Sequence, residues 1–176
     1  VLINWYGEVG TNGDINLLLE NSNAIVTESG ALGMDFSVIM EDRFVGTENN
    51  LNPVDYVYIN IEYLKNNYFS KGNFIRTDSG KPLFGVFGPI EVFGESNWNY
   101  ALTAAGEDVV FLPLYWSISS VGNGASGGYD WVLENGLSAN QSFYQSTASS
   151  LNFAMGCAYP GFKDFYEEGG WGNNLF

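Results

Sequence analysis

The chain has 176 residues, of which 45% are hydrophobic and 16% aromatic, and 6 basic against 20 acidic side chains give a net charge of −14. This apolar content is too high for a disordered tail and predicts a globular core. The shortage of cations argues against nucleic acid or an anionic membrane surface as a partner. No apolar run approaches the ~20 residues that a membrane-spanning helix needs, so we expect no membrane span.

The sequence contains no histidine and a single cysteine, Cys157. Imidazole is the base in Ser-His-Asp and Cys-His catalysis and a ligand in most zinc sites, so catalysis by this chain would depend on carboxylates. We interpret Cys157 as a core residue. The oxygen-rich stretches 11–14 and 48–50 lack the spacing of a calcium loop. We therefore predict no metal and no cofactor.

Strands and helices are predicted to alternate along the chain. Short runs that are apolar on both alternating faces predict buried strands at 1–6, 35–41, 83–87, 109–116 and 151–159. Helices are predicted at 14–31, ending at Gly30 and Gly33, and from Pro53 to Tyr68 after the cap Asn52. A shorter helix capped by Ser96 and one or two helices between 126 and 150 complete the order.

A glycine-rich stretch at 122–128 precedes one of the predicted helices. A phosphate cradle at this position would lack the Walker lysine and would bring a polyanion to an acidic chain. We interpret the stretch as a flexible loop.

Strict alternation predicts an α/β fold with a parallel sheet. No Gly-x-Gly-x-x-Gly follows an early strand, as an open dinucleotide-binding sheet would require. Five strands are about five-eighths of a (β/α)8 barrel, which seldom takes fewer than ~200 residues. We therefore predict that residues 1–176 are a single domain and an excerpt of a larger TIM-type barrel.

The functional residues of such barrels lie where the strands end at the carboxyl face. Aromatic rings stack on the apolar faces of sugars, and carboxylates accept hydrogen bonds from sugar hydroxyls, so these strand ends predict a glycan-binding cleft. The candidate substrate-binding residues are Trp5, Tyr6, Glu8, Glu41, Asp42, Glu91, Trp116, Tyr159, Gly161 and Asp164.

Several candidates have structural alternatives. Trp5 and Trp116 would serve equally as plugs at the end of a barrel, and Glu8 as a solvated loop charge. The pattern Asn140-Gln141-Ser142 is an N-glycosylation acceptor, and together with the acidity it predicts an extracellular or cell-surface location.

The adjacent carboxylates Glu41 and Asp42 have an alternative as an acidic pair neutralised by Arg43. Neighbouring strand residues point to opposite faces, so these two are not themselves a catalytic pair. A glycosidase needs two carboxyl groups about 5–10 Å apart, and the catalytic residues therefore stay unassigned.

Two stretches resemble a known family. Phe36–Asp42 (FSVIMED), the Tyr-rich helix that follows and Gly80–Phe87 (GKPLFGVF) resemble the middle of family 99 glycoside hydrolases and of their relatives in family 71. Ala158–Asp164, leading to Trp171–Asn173, is similar to the Pro-Gly-Tyr-Asp-Asp stretch of that family and its trailing Trp-Asn.

The resemblance implies an endo-acting, retaining (β/α)8 enzyme of the endo-α-mannosidase type that cleaves internal α-mannosides or similar glycans. The catalytic carboxylates of that family lie on a Glu-x-x-Glu motif after the Pro-Gly-Tyr stretch, and this sequence contains no such motif. Phe162 and Lys163 replace the family's tyrosine and first aspartate. The positions that the resemblance carries over as binding residues are Glu41, Asp42, Tyr159, Gly161 and Asp164.

Two functions are thus expected. One is a portion of a glycoside hydrolase whose catalytic pair lies outside the sequence, so that this segment alone is inactive. The other is a non-catalytic secreted or surface protein that uses the same barrel for structure or for binding glycan. The expected partners are a glycan or polysaccharide, the remaining part of its own barrel and other subunits.

Overall fold

The computed structural model describes residues 1–8, 13–43, 51–132 and 137–158. Within these ranges the elements are β1 Leu2–Trp5, α1 Gly13–Ala31, β2 Ser37–Met40, α2 Pro53–Leu64, β3 Leu83–Val86, α3 Glu95–Leu102, β4 Val110–Pro113, α4 Ile118–Val121, β5 Gly127–Tyr129, α5 Leu137–Ser142 and β6 Phe153–Met155. One turn of π-helix extends α2 over Lys65–Phe69 and another extends α5 over Phe143–Thr147. The short 3-10 segments are Thr103–Ala105, Tyr115–Ser117, Gly122–Gly124 and Ala148–Ser150.

The strands pair in parallel, as the sequence predicts. The first four form one sheet in the order β1-β2-β3-β4. Strands β5 and β6 form a second parallel pair, and a parallel bridge between Leu114 and Tyr129 joins this pair to the end of β4. The order of the six strands in space therefore follows their order along the chain, and the predicted α/β class with parallel strands is confirmed.

The two faces of the sheet have different neighbours. One face contributes Trp5, Met40 and Phe84 to an apolar cluster that also contains side chains of α1, α2 and α3. The other face builds a second cluster, whose buried members are Ile39, Val110, Leu112, Leu114 and Tyr129. All members of this second cluster belong to strands or to the residues beside them. We call the two surfaces the helix face and the inner face.

Tyr129 shows how the inner face is filled. Its side chain is fully buried, and its hydroxyl reaches across β4 to donate to the Val86 carbonyl oxygen at 3.0 Å. The ring passes over Gly85, where a Cβ atom would lie 3.6 Å from Tyr129 Cε1 and 2.6 Å from the Leu112 carbonyl oxygen. Burial, with a smaller contribution from the charge of Glu41, raises the pKa of the Tyr129 phenol, so it stays a neutral donor.

Helix α2 begins where the sequence predicts. Asn52 Oδ1 accepts hydrogen bonds from the N–H groups of Val54 at 2.8 Å and Asp55 at 3.4 Å, and Pro53 occupies the first turn. Its core side is also as predicted, because Val57 and Ile61 are fully buried. Both the cap and the buried face of this helix are confirmed.

The prediction of a flexible loop at 122–128 is wrong. Gly122–Gly124 is a 3-10 turn, and β5 begins at Gly127. A Cβ atom on Gly127 would lie 1.9 Å from the Phe153 carbonyl oxygen, so the close approach of β6 demands glycine there. The low strand propensity of glycine explains why the sequence pattern does not reveal this strand.

The predicted cap Ser96 is also wrong, because α3 begins at Glu95 and the preceding Gly94 occupies the cap position with φ 99°. The predicted end is confirmed at Gly106, which adopts a left-handed conformation with φ 66°. No helix in the described ranges combines the length and the hydropathy that a membrane crossing needs.

Candidate functional site

The carboxyl ends of the strands place a row of side chains on the inner face. The register pairs Trp5 with Met40 and Met40 with Val86. The next backbone hydrogen bonds, from Glu41 N to the Trp5 oxygen and from Phe87 N to the Met40 oxygen, are both 2.8 Å long. Continuing the register by one residue gives the row Tyr6, Glu41, Phe87, Leu114 and Tyr129.

Glu41 is the carboxylate of this row and is only 6% exposed. Its Oε1 accepts a hydrogen bond from Asn4 Nδ2 at 2.9 Å, and its Oε2 lies 3.5 Å from Arg43 Nε. Asn4 Nδ2 also donates to the Tyr6 hydroxyl oxygen at 3.0 Å. Asn4 of β1 and three residues that follow β1 and β2 thus join one carboxylate to an amide and a guanidinium, and the amide to a phenol. We call this group, Asn4, Tyr6, Glu41 and Arg43, the polar cluster.

Asp42 has a different role from Glu41. Its side chain is fully buried, and its carboxylate accepts hydrogen bonds from three consecutive backbone N–H groups, those of Ile90 at 2.8 and 3.1 Å, Glu91 at 2.9 Å and Val92 at 2.8 Å. These bonds hold the loop after β3. Both oxygens of Asp42 are engaged by backbone amides, and its contact with substrate stays a prediction.

Trp5 lies outside the candidate site. It alternates with Asn4 on β1 and therefore points to the helix face, where it is 1% exposed. Its ring stacks on Tyr63 with centroids 5.7 Å apart and an interplanar angle of 24°. Trp5 is therefore packed on the face opposite to Glu41, and its roles as a substrate contact or as a barrel plug stay predictions.

Three further candidates lie in loops after the strands. Glu8 follows β1, and its backbone N–H donates to Asn60 Oδ1 at 2.9 Å. Burial, and then repulsion by Glu62, raise the pKa of the Glu8 carboxyl above its ordinary value of 4.5. Glu91 follows β3 and Trp116 follows β4, and both side chains are exposed. Their contact with substrate stays a prediction. The candidates Tyr159, Gly161 and Asp164 lie outside the described residues.

Asn140 is placed unfavourably for glycosylation. Its side chain is 4% exposed, and its Nδ2 donates to Asp130 Oδ2 and, at 3.4 Å, to the Trp131 carbonyl oxygen. A glycan on this nitrogen would disturb these hydrogen bonds. We therefore expect no glycan on folded Asn140, although the sequence pattern predicts one.

Sequence reasoning missed three residues at the same edge. Asn4 is a polar residue at an alternating position of an otherwise apolar strand, which is a signal for the inner face. Asp130 and Trp131 directly follow β5 and were hidden because that strand was not recognised. Only Asn4 therefore had a signal in the sequence, whereas Asp130 and Trp131 required the placement of β5.

Two cavities lie away from the polar cluster. One of about 580 Å³, lined by residues such as Lys81, Gly106 and Ser126, lies beside the amino ends of β3 and β4. The other, of about 280 Å³, lies between α1 and α2 and includes Tyr63 in its lining. Glu41 lines neither cavity. We therefore define the candidate site by the side chains of the polar cluster and not by a cavity. The described residues contain no group of three or more His, Cys, Asp or Glu side chains able to hold a metal ion.

Comparison of the chain with protein-family models, with curated proteins and with solved structures finds no match. The resemblance to family 99 glycoside hydrolases therefore remains an expectation that rests on the sequence motifs.

Proposed function

We propose that this chain is part of a (β/α)8 barrel that binds a glycan at the carboxyl ends of its strands. The order of the strands supports the barrel, because a doubly wound sheet reverses its strand order and carries helices on both faces. Here the order follows the chain, and helices α1, α2 and α3 share one apolar cluster on one face. Apolar side chains fill the opposite face, as they fill the interior of a barrel.

The observation that carries the glycan proposal is the polar cluster. Sugar hydroxyls both donate and accept, and they are bound by carboxylates, amides and guanidinium groups that are held in fixed positions. Glu41 is held by Asn4 and lies beside Arg43, so acceptors and donors stand next to each other. Exposed Asn4 keeps its Oδ1 as a further acceptor.

A more specific proposal is that the protein also hydrolyses the glycan, and it rests on the sequence resemblance. It requires a second carboxyl group about 5–10 Å from the first. Among the described residues at this edge, the Asp42 carboxylate is engaged by backbone amides and that of Asp130 by Trp131 N and Asn140. Glu8 after β1 and the exposed Glu91 after β3 are the other described carboxylates that could supply the second group, beside residues outside the described ranges. Without such a group the alternative holds, a glycan-binding protein without catalysis.

The test is calorimetric titration of the protein with α-manno-oligosaccharides, with uncharged oligosaccharides of other sugars as comparison ligands. We expect binding, and we expect Glu41→Gln to weaken it at least tenfold, which corresponds to about 1.4 kcal/mol. The matched control is Asp108→Asn, which alters an exposed carboxylate paired with Lys81 next to the amino end of β4. Absence of binding to every oligosaccharide, or equal weakening by both variants, would overturn the proposal.

Incubation of the full-length protein with α-mannan separates the two forms of the proposal, because residues 1–176 alone are expected to be inactive in both forms. Release of oligosaccharides that Glu41→Gln abolishes would support hydrolysis, whereas binding without release at high protein concentration would leave the non-catalytic form.

A further inference from the structure

The end of β5 carries a buried carboxylate that the polar cluster does not include. Asp130 is 2% exposed, and its backbone N–H donates to the Met155 carbonyl oxygen at 2.9 Å. Its Oδ1 accepts from Trp131 N at 2.9 Å, and its Oδ2 accepts from Asn140 Nδ2. The ion pairs of the described ranges do not include Asp130. A buried carboxyl group needs hydrogen-bond partners, and among the described residues those of Asp130 are Trp131 N and Asn140 Nδ2.

Asn140 completes a clamp around one residue. Besides its bond to Asp130, Asn140 Nδ2 lies 3.4 Å from the Trp131 carbonyl oxygen. The N–H of Trp131 is therefore held by Asp130 and its C=O by Asn140, which is itself buried. Two buried polar side chains thus fix the backbone of a single tryptophan on both sides.

The ring of that tryptophan lies on the inner face beside the polar cluster. Trp131 is half-buried and packs edge-on against Phe87, with centroids 5.2 Å apart and an interplanar angle of 71°. It also meets Tyr129 edge-on at 6.2 Å. Phe87 is the neighbour of Glu41 in the row of strand ends, so a single ring separates the indole from the polar cluster.

We propose that Asp130 and Asn140 are positioning residues that hold Trp131 as the aromatic wall of the glycan cleft. The inference rests on the proposed function and adds to it the kind of ligand, a pyranose with an apolar face that packs on the indole while its hydroxyls meet Glu41 and Asn4. Tryptophan suits this role because it offers a large apolar surface that loses little conformational freedom on binding.

Binding measurements test the wall. We expect Trp131→Ala to weaken α-manno-oligosaccharide binding about tenfold and Trp131→Phe, which keeps a ring, to weaken it less. Asn140→Ala should weaken binding in the native background and have no further effect in the Trp131→Ala background, because it acts through Trp131. A merely structural role would weaken binding equally in both backgrounds and would overturn the proposal. The control is Asn123→Ala, which removes an exposed hydrogen bond to Glu95.

A measurement without glycan tests the clamp separately. The protein has five tryptophans, and all of them contribute to its fluorescence. Subtracting the acrylamide quenching of Trp131→Phe from that of the native protein leaves the contribution of Trp131, which reports its exposure. We expect Asn140→Ala to increase the quenching of Trp131. Unchanged quenching of Trp131 would show that Asn140 does not hold this residue. If Glu41→Gln weakens glycan binding and Trp131→Ala does not, Trp131 is not the aromatic wall of the cleft. The proposed function would still stand in that case. A native protein that binds no glycan would overturn the proposed function and the wall, while quenching would still decide the clamp.

Discussion

Asn4 Nδ2 on β1 donates to Glu41 Oε1 just beyond β2 across 2.9 Å, and this bond joins the first two strands where they end on the inner face. Because the same nitrogen reaches the Tyr6 hydroxyl at 3.0 Å, Asn4 sets the positions of two groups in the polar cluster. Its contribution is therefore to orientation as well as to stability.

The Asn4–Glu41 bond should appear as an energetic coupling. A hydrogen bond to a charged group contributes about 1.5–3 kcal/mol, and partial exposure of this pair should reduce the coupling between Asn4→Ala and Glu41→Ala, each of which removes the bond, to about 1 kcal/mol. Urea unfolding of both single variants and the double variant measures it. Asn97→Ala, which removes an exposed bond to the Phe93 carbonyl oxygen, serves as the uncoupled control. Strictly additive free energies for Asn4 and Glu41 would contradict the bond in solution.

Asp42→Ala should be strongly destabilising. The substitution leaves the N–H groups of Ile90, Glu91 and Val92 without their acceptor, and we expect a loss of about 3 kcal/mol or more in the free energy of unfolding. Asp42→Asn should cost less, because one amide oxygen can replace Oδ2, which accepts from all three. Denaturant unfolding measures both variants. A loss below about 1 kcal/mol for Asp42→Ala would show that the loop does not depend on this carboxylate.

Glu8→Gln should stabilise the protein at neutral pH. The pKa of Glu8 is raised above 4.5 by burial and by Glu62, so the ionised carboxylate disfavours the folded state above the raised pKa. The penalty disappears below 4.5, where the group is protonated in both states. The gain in melting temperature should therefore be present at pH 7 and absent in acid.

Glu62→Gln is the companion variant for Glu8, because it removes the repulsion and leaves the burial. It should raise the melting temperature at pH 7 by less than Glu8→Gln does, since burial is the larger cause of the shift. A lower melting temperature for Glu8→Gln at pH 7 would show that the Glu8 carboxylate makes a favourable interaction in the folded protein.

Expression through a eukaryotic secretory pathway should yield folded protein without a glycan at Asn140. The buried amide is bonded to Asp130 and Trp131, so a chain modified there cannot close this part of the fold. Ser142→Ala removes the acceptor pattern and leaves Asn140 in place, because the bond that the Ser142 hydroxyl donates to the Ser138 carbonyl oxygen is exposed. Mass spectrometry of secreted native and Ser142→Ala protein should show no glycan on the peptide that contains Asn140 in either case. A glycan on folded native protein would contradict the buried position.

Local patterns determined much of this fold. The cap Asn52, the following proline and the apolar spacing from Val57 to Ile61 specify α2, because capping and helical periodicity act over a few neighbouring residues. Runs that are apolar on both faces likewise predict the buried parallel strands β2 and β4. The carboxylate Glu41 at the end of β2 was identified for the same reason, since it follows a strand that can be recognised locally.

Only the tertiary structure decided which face each strand end presents and which backbone donors meet it. Glu41 and Asp42 are adjacent and both acidic, yet one joins the polar cluster and the other binds the amides of residues 90–92. Strand β5 and the clamped Trp131 depend on the approach of β6 and on Asn140, ten residues beyond Asp130. Such contacts join segments that are distant along the chain, and no local period or propensity encodes them.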